Sequence, residues 1–150
     1  MAFRVAVGAD HGGFDLKKEL AAYLQSAGHR VLDCGTDSKA SCDYPVFSFK
    51  TAEAVARKEA DVGLLICRSG IGMAICANKV KGIRAACCET VEQARLGRAH
   101  NNANVLVLGA DLIDPEMARK VLTAFLETPF EGGRHQRRVD QIDAYDRAHV

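Results

Sequence analysis

With 150 residues, 48% of them apolar and 26% charged, the chain has material for one hydrophobic core and an ordinary globular composition. Its formal net charge of +1 supplies no global field toward DNA, RNA or an acidic membrane. Nucleic-acid and membrane partners are therefore not expected, and any anion site must be local. The apolar runs Val62 to Cys67 and Val105 to Leu108 are far too short to cross a bilayer. The opening Met1-Ala2-Phe3-Arg4-Val5-Ala6-Val7 lacks the basic start and apolar stretch of a signal peptide, so the expected location is the cytoplasm.

In chain order, the Val-rich run Phe3 to Ala9 predicts a first strand. Phe14, Leu16, Leu20, Tyr23, Leu24 and Ala27 follow at helical spacing, with Gly28 where a helix C-cap belongs. Arg30 to Cys34 predicts a second strand. A polar loop from Gly35 to Tyr44 ends at Pro45, which opens a helix running to about Glu59. Val62 to Cys67 is the most apolar strand. A glycine-rich turn and a helix from Ile71 to Asn78 come next. Ile83 to Cys88 and Asn104 to Gly109 predict the fourth and fifth strands, separated by a helix from Val91 to His100. Asp114-Pro115 reads as an N-cap followed by a proline at the first helical position, and the helix turns Met117, Val121, Leu122, Phe125 and Leu126 inward.

Five strands alternating with helices predict an α/β fold: a Rossmann-like three-layer αβα sandwich on a five-stranded parallel sheet. All strands are expected to be continuously apolar and covered on both faces. Residues 1–150 read as a single domain, with an α/β core over 1–130 and a C-terminal arm and helix over 131–150. That last helix is mostly polar, so it is expected to pack on a partner subunit.

The six cysteines are Cys34, Cys42, Cys67, Cys76, Cys87 and Cys88. No C-x-x-C pair is present, and Cys87 and Cys88 would point to opposite faces of a strand. Reduced, mostly buried thiols are expected. Cys67 differs by position, because it closes a buried strand just before a glycine turn that opens a helix. Amides at such a turn favour a thiolate and can hold a developing oxyanion.

Ligands of open α/β sheets bind at the carboxyl ends of the strands. The residues assigned there are Asp10-His11-Gly12-Gly13, Gly35-Thr36, Asp43-Tyr44-Pro45 and Cys67-Arg68-Ser69-Gly70-Ile71-Gly72, with His100-Asn101 grouped alongside them. A low-molecular-weight phosphatase is excluded, since Met73 occupies the position of its required arginine. A cysteine hydrolase using His100 or His11 stays open, as does a thiolate that moves a proton between neighbouring carbons of an opened sugar. A dinucleotide site is disfavoured, since Ile75 stands where the third glycine of Gly70-Ile71-Gly72 belongs. Asp10-His11 and His100-Asn101 could serve ring opening. Arg134, Arg137 and Arg138 form a local basic cluster suited to phosphate. No set of residues has metal-ligand spacing, so neither metal nor cofactor is expected.

Taken together, these motifs resemble the type B ribose-5-phosphate isomerases and the related galactose-6-phosphate isomerase subunits. The matching pieces are Gly8-Ala9-Asp10-His11-Gly12-Gly13-Phe14, Asp43-Tyr44-Pro45, the Cys67 loop with Ser69-Gly70-Ile71-Gly72, Ala77-Asn78-Lys79 and Gly82-Ile83-Arg84-Ala85. His100-Asn101 with Asn104-Val105-Leu106, and Glu131-Gly132-Gly133-Arg134-His135 with Arg138, complete the match. The resemblance implies a homodimer or homotetramer with shared sites, acting on a small sugar phosphate. It implies Cys67 as the carbon base through an enediolate, Ser69 assisting proton transfer, and the amides of Gly70, Ile71 and Gly72 as an anion hole. His100 would open the ring with help from Asp10, Asn101 would bind a sugar oxygen, and Tyr44 falls within a matching motif as a substrate contact. His11, Arg134 and Arg138 would hold the phosphate, the arginines coming from the partner. Ribose 5-phosphate is the first expectation, with an allose- or galactose-type hexose 6-phosphate as the alternative. Outside the class stand a Cys-dependent hydrolase and a non-catalytic sugar-phosphate binder. Two positions depart from the pattern: Arg68 replaces a common glycine, and Asp111 replaces a common arginine. If Arg68 compensates, Asp111 should lie close enough to orient it.

Overall fold

The computed structural model describes residues 1–149. Five strands form one all-parallel sheet: β1 (Arg4–Ala9), β2 (Arg30–Asp33), β3 (Val62–Cys67), β4 (Ala85–Cys87) and β5 (Val105–Gly109). Six helices connect and flank them: α1 (Phe14–Ser26), α2 (Tyr44–Ala56), α3 (Ile71–Ala77), α4 (Val91–Asn101), α5 (Pro115–Glu127) and α6 (Arg134–Ala148). Several helices start where side chains satisfy free backbone donors. Asp114 accepts a bond from the Met117 amide at 2.8 Å, and Thr90 and Gln93 form a reciprocal capping box.

Strand alternation sorts the core into two layers. Val5, Val7, Leu64, Ile66, Leu106 and Leu108 face Leu20 and Leu24 of α1 and Val121, Leu122 and Phe125 of α5. Ala6, Leu65, Cys67, Val105 and Val107 face Ala52 and Val55 of α2 and Met73 and Ala77 of α3. The register of β3 therefore assigns Cys67 to the α2/α3 side.

The strand order is β2-β1-β3-β5-β4. From β1 the chain goes outward to β2 and then returns to the other side of β1 for β3. That reversal opens a crevice between the carboxyl ends of β1 and β3, where Ala9 pairs with Ile66. The loops Asp10–Gly13 and Arg68–Gly70 both begin there.

The expectation of uniformly covered strands fails at the sheet edges. Only Val31 of β2 is even partly buried, and Cys87 at the end of β4 is exposed. An edge strand has one neighbour instead of two, so the flanking helices do not extend over it fully. The C-terminal helix docks on its own chain. His135 and Val139 are buried, Arg84 bonds Asp143 at 2.9 Å, and the Gly82 amide donates to Asp146 at 3.0 Å. Ile142 and Tyr145 on the same helix remain exposed.

Candidate active site

Cys67 ends β3 at 6% exposure, and the Gly70 amide donates to its Sγ at 3.2 Å. That bond requires the chain to double back within three residues. Gly70 achieves it at φ +80°, a left-handed conformation that side chains resist. Ser69 Oγ accepts from the Ile71 amide at 3.2 Å. Two of the three amides expected to form an anion hole are thus engaged within the loop. The Gly72 amide lies in the first turn of α3, where no carbonyl of its own helix can pair with it. Tyr44, the first residue of α2, lies against Gly72: a Cβ there would sit 2.4 Å from the Tyr44 ring. Cys67, Ser69, Gly70, Ile71, Gly72 and Tyr44 are therefore gathered in one place.

Across the crevice, Asp10 is buried, and its Oδ1 accepts from the amides of Gly12 at 2.9 Å and Gly13 at 3.2 Å. This caps the short 3-10 turn His11–Gly13. His11 Nδ1 accepts from the Cys42 amide at 3.2 Å, which leaves Nε2 to carry the proton of the neutral ring. Arg68 lies over the same turn, with its Cγ 2.6 Å from where a Cβ on Gly12 would be. Its Nη1 is 3.8 Å from Asp111 Oδ2, so the anticipated proximity of these two residues is present.

His100 and Asn101 require a correction. They do not lie at the carboxyl ends of the strands. The helix α4 leaves the carboxyl end of β4 and runs back along the sheet, so its last residues reach the amino ends. The Asn101 carbonyl accepts from Arg84, which precedes β4, and the Ala99 carbonyl accepts from Glu131. From Val105 to Gly109, β5 alone spans about 13 Å, and an 11-residue helix about 16 Å. Within one chain His100 and Asp10 are thus not brought together. Arg134 and Arg138, at the start of α6, are exposed on the same far side as His100.

That far rim holds a cluster that sequence spacing did not reveal. His100 and His135 stack with ring centroids 4.2 Å apart and planes 11° from parallel. Glu131 Oε1 is 3.5 Å from His135 Nε2 and 3.9 Å from His100 Nε2. The chemistry of the trio is that of a zinc ligand set. Its geometry is not, because nearly parallel rings aim their nitrogens side by side instead of at one point, and Arg134 and Arg138 add positive charge. Burial, followed by His100 and Arg134, holds the His135 imidazole below its ordinary value, against the pull of Glu131. The available signal was the i, i+4 spacing of Glu131 and His135 across Gly132-Gly133.

All six cysteines are free. Burial pushes the thiols of Cys34 and Cys76 up, and that of Cys88 up to about 11. Four of the six are buried, including Cys67, while Cys42 is half-buried and Cys87 is exposed. Cys67 and Cys87 lie two strands apart, about 10 Å across the sheet, beyond the reach of a disulfide.

The chain belongs to the ribose/galactose isomerase family, whose pattern it matches over residues 5–142, and so to the sugar-phosphate isomerases. It is 45% identical over 143 residues to the ribose-5-phosphate isomerase B of Escherichia coli, covering 95% of this chain and 96% of that protein. The fold superposes on ribose-5-phosphate isomerase B of Clostridium thermocellum with a TM-score of 0.96 and 43% identity, covering 98% and 99% of the two chains. A ribose 5-phosphate isomerase of Thermotoga maritima superposes with a TM-score of 0.93 and 46% identity, covering 95% of this chain and 98% of the other. Among the described residues no helix is long and apolar enough to cross a membrane.

Proposed function

We propose that the chain interconverts D-ribose 5-phosphate and D-ribulose 5-phosphate through an enediolate, with Cys67 as the carbon base. The observation that carries this reading is the Gly70 amide directed at Cys67 Sγ. The amide stabilises a thiolate at the mouth of the crevice while the covered strand keeps bulk water off it. The thiolate takes the proton from C2 of the open aldose, the C2 electrons form the C1–C2 double bond, and the negative charge moves to O1. The Gly72 amide supports that charge, and Ser69 passes the hydroxyl proton between O2 and O1. Cys67 then returns its proton to C1, leaving a carbonyl at C2. These steps use side chains and amides alone, so chelators are expected to leave turnover unchanged.

Ring opening and phosphate binding need the far-rim residues, so we place His100, Asn101, Arg134 and Arg138 of a second copy at this crevice. The distance between the two rims supports that arrangement. So do Val46, Ile71 and Ile75, which are 61%, 61% and 57% exposed around the Cys67 loop. A surface of this kind is stabilised when a partner covers it. We place the enzyme in the cytoplasm, where six thiols stay reduced.

The test pairs a substrate panel with a base variant. Among pentose 5-phosphates and hexose 6-phosphates, ribose 5-phosphate should give the highest kcat/KM. A hexose 6-phosphate preference would reject the assigned substrate and keep the class. Cys67→Ala should lower kcat by about 10²–10⁴ while substrate still binds. Near-normal turnover in that variant would reject the thiol base.

A further inference from the structure

We propose that Arg68 is a phosphate anchor supplied by the same chain that carries Cys67, with Asp111 as a weak competing partner between substrates. This rests on the sugar-phosphate reading above and extends it to a residue that determines affinity. Three carbons and an ester oxygen separate C2 from phosphorus in a pentose 5-phosphate. A substrate with C2 at Cys67 therefore carries its phosphate about one side-chain length away along the crevice.

Arg68 is positioned for that distance. It follows Cys67 directly, and its stem crosses Gly12, where a Cβ would lie 2.6 Å from Arg68 Cγ and 3.4 Å from its Nε. The missing side chain at Gly12 is the seat of the arginine stem. The stem is thereby laid over the residue that follows His11, whose Nε2 carries the proton of the neutral ring when Nδ1 accepts from Cys42. An arginine fork from one loop and an imidazole donor from the neighbouring turn can supply half of an oxyanion cradle.

Arg68 is also uncommitted. Among the described residues its guanidinium makes no hydrogen bond. At 3.8 Å, its contact with Asp111 is too long for one, and the two side chains are 70% and 60% exposed. Two other cations near this rim are by contrast paired at short range: Lys17 with Asp33 at 2.7 Å and Lys39 with Asp15 at 3.0 Å. Asp111 is tied to Arg68 a second time, its amide donating to the Arg68 carbonyl at 3.0 Å. The backbone therefore keeps Asp111 beside Arg68, where its carboxylate competes only weakly for the guanidinium. A phosphate dianion carries more charge than Asp111 and takes the arginine from it when substrate enters.

Inorganic phosphate binding, measured by calorimetry on the full-length protein, tests the anchor without requiring turnover. Loss of the charge-assisted bonds in Arg68→Gly should weaken phosphate by about 10–100-fold. Arg68→Lys should recover part of that, and Asp111→Asn should tighten phosphate by about two- to fivefold. With ribose 5-phosphate, Arg68→Gly should raise KM by the same factor and change kcat by less than about threefold, since the phosphate contact is common to ground and transition states. Lys39→Ala serves as the control for general positive charge and should leave phosphate affinity unchanged. Unchanged phosphate affinity in Arg68→Gly, an equal loss in Lys39→Ala, or no saturable phosphate binding by the parent protein would each overturn the proposal. Phosphate binding that depends on Arg68, in a protein that isomerises no sugar phosphate, would uphold the anchor and reject the function. Isomerisation indifferent to Arg68 would do the reverse.

Discussion

Lys17 is 4% exposed, and the carboxylate of Asp33 at the end of β2 compensates its charge. Burial would raise the Asp33 carboxyl, but the Lys17 bond and the Gly35 amide outweigh it and hold the group below its ordinary value. The sign follows: the stabilisation is fully present above the unfolded carboxyl value of 3.8 and is lost as pH falls through the depressed folded value. Asp33→Ala leaves the ammonium buried and unpaired. Because Asp33 itself is 59% exposed, the expected cost is about 1–3 kcal/mol, short of a fully buried pair. Lys17→Met keeps the stem and removes the charge, so it should be nearly neutral. Urea midpoints at neutral pH check both, and equal losses would mean the pair matters for packing alone. At Gly70 the constraint is conformational. Alanine there would hold φ +80° and place Cβ 2.9 Å from Cys87 Sγ, costing about 1–3 kcal/mol. It would also shift the amide that serves Cys67. Gly70→Ala should therefore lose turnover while still folded, which circular dichroism beside steady-state rates would show.

Among the elements, α6 depends on a buried imidazole. His135 is packed under His100 and faces Glu131, Arg134 and Arg138, and its value is held below 6.5. An unfolded chain would take up a proton there below about pH 6.5 that the docked helix resists, so stability falls as pH drops below 6.5 and is fully present above it. The wild type should lose urea resistance as pH falls from about 6.5 to 5.5, and His135→Gln should flatten that slope. An unchanged slope would move the titration elsewhere. The helix itself was legible as mostly polar, but its docking was not, because it rests on single long-range contacts such as Arg84 with Asp143. The Cys67 turn was legible, since an apolar strand followed by Ser69-Gly70-Ile71-Gly72 leaves the backbone little choice. The exposure of β2 and β4 was not, because which strands form the edges depends on sheet order, and local periodicity carries no information about order. His100 was misplaced for a simpler reason: a helix that returns to start the next parallel strand must end at the opposite rim.

For the whole molecule, that return path has a consequence for assembly. The carboxyl rim holds Cys67, Ser69, Tyr44, His11 and Arg68, and the amino rim holds His100, Asn101, Arg134 and Arg138. One chain cannot fold its two rims together, since the sheet between them is the rigid core. A second copy can join them, and a two-fold dimer would build two equivalent sites, each drawing one rim from each chain. This arrangement can be tested by mixing. Cys67→Ala and His100→Asn should each be inactive alone, each dimer lacking the same half of both sites. Unfolding and refolding them together at equal concentration makes about half the dimers mixed. Each mixed dimer has one site with both defects and one with neither, so about a quarter of wild-type activity should return. If both residues act within one chain, no mixture can assemble an intact site and activity stays at the level of the separate variants.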